Sequence, residues 1–112
     1  MIRFTTPIEK IVLRGIDLSD KDVYVSFKQR LGHNQGTTLV EKEGDDLDVT
    51  YDGTDTTVLC PLTQEETGSF SKGNCSVQVN WINANGTRDA TARIATVPVT
   101  DNLHEEVISY GE

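Results

Sequence analysis

No apolar run in this chain approaches the roughly 18 residues that a membrane-spanning helix needs, so membrane insertion is not expected. Basic residues are few. Ten Lys and Arg stand against eighteen Asp and Glu, a net charge of −8. That balance argues against a nucleic-acid partner, which binds through a basic surface that displaces counterions. Nine Gly and three Pro are too few for collagen-like or low-complexity chain. Met1 to Pro7 has neither a basic stretch nor an apolar core, so no secretory signal is expected and synthesis in a reducing compartment is. The two Cys (Cys60, Cys75) and two distant His (His33, His104) match no zinc spacing. The chain has no P-loop, no dinucleotide fingerprint and no G-x-S-x-G turn. Neither His neighbours a strained nucleophile, so an enzyme is not expected, and no cofactor or metal is assigned.

What is present is one domain, since 112 residues support a single core and no more. Charge is unevenly spread along it. Residues 1–40 carry a net of +2, residues 41–55 a net of −6, and residues 56–112 a net of −4. The acidic run is explained by solvated turns, although an acidic flank and a basic start also suit head-to-tail packing of copies. Within it, Asp46-Leu47-Asp48 begins like an EF-hand loop, but Thr50-Tyr51 stands where a third ligand and Gly are needed. Calcium held by carboxylates of adjacent turns stays open as an alternative.

Two-residue alternation dominates the chain. Cys75-Ser76-Val77-Gln78-Val79-Asn80-Trp81 alternates apolar and polar without a miss and predicts a half-buried strand. Val23, Val25 and Phe27 predict a second, and Ile11 and Leu13 place a third over Ile8 to Arg14. Shorter strands are expected over Thr37 to Glu43, Leu47 to Tyr51 and Thr56 to Cys60, with a further edge strand at Arg3 to Thr6. Gly15 to Asp22 reads as a loop rich in turn formers. Asn85-Gly86 predicts a type I′ hairpin leading into a return strand over Arg88 to Val99. Ala90, Ala92 and Ala95 in that strand suggest close approach by a neighbouring layer. Pro98 must lie at an edge or a strand end, because it cannot donate to a ladder.

One helical turn is expected near 63–68. Thr63-Gln64-Glu65-Glu66 forms a capping box, and Gly68 should end it. At the C-terminus, Leu103, Val107 and Tyr110 share a helical face, yet residues 101–112 read equally well as an extended arm. The expected fold is all-β: an antiparallel, immunoglobulin-like β-sandwich of about seven or eight strands over residues 1–112. Trp81 suits its core, although the immunoglobulin Cys–Trp–Cys spacing is absent. Cys60 and Cys75 could meet across that core, but buried free thiols are the favoured expectation in a reducing compartment. Asn74-Cys75-Ser76 and Asn85-Gly86-Thr87 match the glycosylation pattern, and Asn85 already has a reason to exist in a turn. Tyr24 with Trp81 forms a conceivable sugar-stacking pair, opposed by the inward phase of Trp81.

Leu62-Thr63-Gln64-Glu65-Glu66-Thr67-Gly68-Ser69-Phe70, then Cys75 to Trp81, then Asn85-Gly86-Thr87-Arg88, carry a resemblance. Over residues 56–100 the chain resembles small β-sandwich proteins and domains of tailed phages and prophages of Gram-positive bacteria, including the N-terminal immunoglobulin-like module of baseplate and tail proteins. The resemblance implies a virion structural protein made in the bacterial cytoplasm and then built into tail, baseplate or connector. Its partners would be other virion subunits or copies of itself. The family has no catalytic residues to carry over. Candidate contact residues are Arg3 and Phe4 at one edge, and Leu103, Val107 and Tyr110 in the arm. The alternative is a ligand- or glycan-binding β-sandwich module.

Overall fold

The computed structural model describes residues 1–30, 37–91 and 95–107. Eight strands run in the order β1 (Ile8–Arg14), β2 (Asp22–Arg30), β3 (Thr37–Glu43), β4 (Asp48–Tyr51), β5 (Asp55–Pro61), β6 (Gly73–Ile82), β7 (Arg88–Ala90) and β8 (Ala95–Val99). A 3₁₀ turn, Gly44–Asp46, precedes β4, and one short helix, α1 (Gln64–Gly68), links β5 to β6. The strands form two antiparallel sheets. One has three strands in the order β1-β5-β4; the other has five, in the order β3-β2-β6-β7, with β8 also paired to β6.

The alternation read from sequence is the alternation of burial. Thr56, Val58 and Cys60 of β5 face inward, as do Cys75, Val77, Val79 and Trp81 of β6 and Val23, Val25 and Phe27 of β2. With Leu13, Leu62, Phe70 and Val99 they make one apolar cluster fed by both sheets. Phe27 and Phe70 are fully buried; burying a side chain of this size contributes about 1.5–3 kcal/mol.

At both ends of that core a strand residue holds a loop segment in place. The loop after β1 inserts Leu18, which is fully buried. Thr56 holds it there: its hydroxyl accepts from Leu18 N at 3.0 Å and donates to Ile16 O at 2.5 Å. At the other end Gln29, 4% exposed, braces the segment after α1. Its Oε1 accepts from Ser71 N and its Nε2 donates to Ser71 O, both at 2.6 Å.

Several local expectations are corrected. The Asn85-Gly86 turn is not type I′, which needs positive φ at both residues. Only Gly86 has it, at +86°. Gly86 N donates to Asn83 O at 2.9 Å and Asn83 N to Thr87 O at 2.8 Å, giving a three-residue loop whose glycine sits in the left-handed region. Asn85 has no positive φ, and its Oδ1 accepts from Thr87 N and Oγ1.

The return strand is two strands. From Val77 to Asn80, β6 advances three residues, while its partner runs five, from Ala90 to Ala95. That excess breaks the ladder, and Thr91 bridges it by donating its N to Val79 O. Ala90 and Ala95 are exposed rather than closely approached, and Ala92 lies outside the described residues. Pro98 lies in β8, which pairs only with β6, so its missing N–H costs the sheet nothing.

Arg3 to Thr6 forms no edge strand. Phe4 has φ +59°, which ends any extension, and only Ile2 pairs, in a single parallel bridge to Thr100. Residues 101–107 contain no helix. α1 has the expected capping box, with Thr63 Oγ1 accepting from Glu66 N and the Glu66 carboxylate from Thr63 N. It ends at Gly68, as expected, and that glycine has a second role, given below.

Candidate functional site

The N-terminal segment, α1 and the residues after β8 meet in a hydrogen-bonded joint. Thr100 N donates to Met1 O at 2.8 Å and Arg3 N to Thr100 O at 2.9 Å, so the first residues run along the outer edge of β8. Arg3 then turns in. Its Nε donates to Phe70 O at 2.5 Å and its Nη2 to Gly68 O at 3.0 Å, satisfying carbonyls at the end of α1 that have no intrahelical partner. Nη1 reaches the tail, 3.2 Å from Glu105 and 3.5 Å from Asp101. Asn102 closes the loop by donating its Nδ2 to Arg3 O.

Phe4 follows Arg3 through its positive φ and lays its ring on Gly68. A Cβ there would stand under 3.0 Å from three ring atoms, which is why this position is glycine. The Arg3 guanidinium lies 5.2 Å from the same ring centroid. Thr67, fully buried, fixes the next residue: its Oγ1 accepts from Thr5 N and donates to Thr5 O. Arg3 and Phe4 therefore fasten the chain to itself. The tail residues differ. Leu103 is fully exposed and Val107 is 44% exposed, while Tyr110 lies outside the described residues.

A second polar contact joins α1 to the five-stranded sheet. Lys42 of β3 points inward beside Val25 and places Nζ 2.7 Å from Glu66 Oε1. Burial alone raises the Glu66 pKa. The Lys42 hydrogen bond and the Thr63 amide outweigh it and hold the carboxyl below its ordinary value. One carboxylate thus serves the helix cap and the ion pair together.

Cys60 and Cys75 are buried free thiols, as expected. Burial pushes each up to about 11, so neither is a nucleophile at neutral pH. In the acidic segment, Asp52 Oδ1 accepts from Thr54 N and Asp55 N, which lower its pKa, and Asp55 Oδ1 accepts from Gly15 N. These carboxylates shape turns. Among the described residues, no three His, Cys, Asp or Glu lie together so as to hold a metal ion. His33 lies outside the described residues, and His104 is exposed in the tail.

Open grooves lie on the surface of the described residues. One of about 540 Å³ lies between the Gly44–Asp46 turn and β2, with Lys21, Tyr24, Glu43 and Leu47 on its walls. Another, of about 220 Å³, crosses the outer face of the five-stranded sheet and is lined by Tyr24, Ser26, Glu41, Asn80, Ile82 and Arg88. Tyr24 faces outward there, whereas Trp81 is 7% exposed and points inward, so the two form no common stacking platform. Among the described residues, no helix is long and apolar enough to cross a membrane.

No family model matches this chain, and no curated protein matches it.

Proposed function

We propose that this chain is a non-enzymatic structural protein of a tailed phage or prophage particle, placed in the tail, baseplate or connector and acting through protein–protein contacts. The observation that carries this reading is the anchored arm. Arg3 ties residues 101–105 to the body while Leu103 stays wholly uncovered, and a fastened segment bearing a bare apolar side chain is suited to seat in a neighbouring subunit. The resemblance over residues 56–100, with its capped turn and alternating strand, supplies the setting.

The finer fold reading is an immunoglobulin-like β-sandwich, and connectivity supports it. In immunoglobulin lettering, β1-β5-β4 reads B-E-D, and β3-β2-β6-β7 reads C′-C-F-G. The parallel bridge between Ile2 and Thr100 lays the N-terminal residues beside the end of the last strand.

The test is to purify particles from an induced lysogen and follow the chain by mass spectrometry across a density gradient. Co-sedimentation with tail proteins supports the proposal; recovery only in the particle-free fraction overturns it. A second reading, a ligand- or glycan-binding module, is favoured by the Tyr24–Asn80–Arg88 groove. A glycan-array signal lost on Tyr24→Ala would favour it.

A further inference from the structure

The outward-facing residues of the three-stranded sheet align in rows. One row reads Lys10, Leu59, Asp48, and the next Val12, Thr57, Thr50. Beyond them Ile8 pairs with Pro61 and Arg14 with Asp55. Ile8 is 64% exposed and Val12 45%. Among the described residues, Lys10, Arg14 and Asp48 have no ion-pair partner. The face therefore has a β1 margin that carries Lys10 and Arg14 among Ile8 and Val12, a mixed middle of Asp55, Thr57, Leu59 and Pro61 on β5, and an acidic β4 margin at Asp48. The adjoining turn extends the acidic margin, bringing Asp45 and Asp46 beside a shallow hollow floored by Ile8, Leu59 and Pro61.

We infer that this face docks on a second copy of the same chain about a two-fold axis running along β5. Rotation about that axis lays each basic β1 margin on the acidic β4 margin of the other copy. Lys10 then meets Asp48 in both directions, and Leu59 meets Leu59 on the axis. An axis across the strands would instead set β1 on β1 and β4 on β4, like charge against like. Both halves of the charge match lie within one face, which makes the partner a copy rather than a different protein. The whole chain carries −8 and repels its copies, so association needs a surface on which opposite charges meet, as Lys10 and Asp48 would here. Two strands of seven residues and one of four cover at most about 15 by 24 Å. That is below the standard interface size, so the dimer is weak and salt-sensitive. The contact needs no virion and forms in a solution of the purified chain.

Sedimentation equilibrium on the whole chain up to about 1 mM tests it. The wild type should pass from monomer to dimer mass, and added salt should reverse this. Lys10→Asp and Asp48→Lys, both at exposed positions, should each weaken association about tenfold or more. An equimolar mixture of the two variants should dimerise again, because each reversed margin finds its opposite; the double variant should do the same alone. A wild type monomeric throughout overturns the inference, as do single reversals without effect or a mixture that stays monomeric. Any of these would leave the particle-sedimentation result, and the virion reading, untouched.

Discussion

The ring of Phe4 rests on the backbone of Gly68, sixty-four positions away, and leaves no room there for a side chain. Phe4 holds this position at the expense of a left-handed backbone that non-glycine residues avoid. Gly68→Ala should therefore destabilise the fold by about 1–3 kcal/mol through overpacking. In the Phe4→Ala background the same substitution should cost little. Urea titrations of the four proteins give the coupling directly, and additive effects would mean that the ring and glycine are independent.

Arg3 spans two backbone carbonyls and two carboxylates at once. Arg3→Lys retains the charge but not the fork, so it should lose most of what Arg3→Met loses, about 1–3 kcal/mol. Hydrogen exchange should speed up at Arg3 and Thr100, whose amides bond across the joint, while β2 and β6 keep their protection. Uniform loss of protection would contradict a local role.

The Lys42–Glu66 pair gives the fold an acid sensitivity. A carboxyl whose pKa is lowered by folding contributes stability above its unfolded value, and that contribution disappears as pH falls through the folded one. Glu66→Gln should flatten the stability profile below about pH 4.5. At neutral pH it should cost about 1–2 kcal/mol, as Lys42 loses its charged partner, while the new amide oxygen can still accept from Thr63 N. Thermal melts from pH 3 to 7 provide the measurement.

The thiols give a fourth expectation. With both pushed up to about 11, roughly one in a thousand is ionised at pH 8. A thiol-specific chromogenic reagent should leave Cys60 and Cys75 unmodified in the folded chain and count two thiols in denaturant. Prompt native reaction would mean that the core opens often at these strands.

The strands and the cap were legible in the sequence because each depends on a local rule. Ile11 and Leu13 on one face give β1 its bounds from Ile8 to Arg14, and a four-residue capping box gives α1 its start. What escaped depends on distant contacts. Leu18 lies in a polar loop and reads as a turn residue, yet Thr56 pulls it into the core. Gly68 reads as a helix stop, which it is, but its contact with the Phe4 ring is not legible. Lys42 reads as one base in an acidic run, and its burial depends on Glu66, which β5 and α1 deliver. Alternation also says nothing about register, so the mismatch that divides β7 from β8 left no trace beyond a weakened rhythm. The candidate contact residues split along the same line: the tail's apolar residues were visible as unpartnered, while the inward use of Arg3 was not.

Strand β6 pairs with β2, β7 and β8, all through residues 73–82. While the ribosome is still making the first seventy residues, the larger sheet can hold only the β2–β3 hairpin, and Val23, Val25 and Phe27 lack their strand neighbours Trp81, Val79 and Val77. The emerging nascent chain thus stays exposed to chaperones and proteases until β6 clears the exit tunnel, and collapse of the second sheet is a late, slow event in its synthesis.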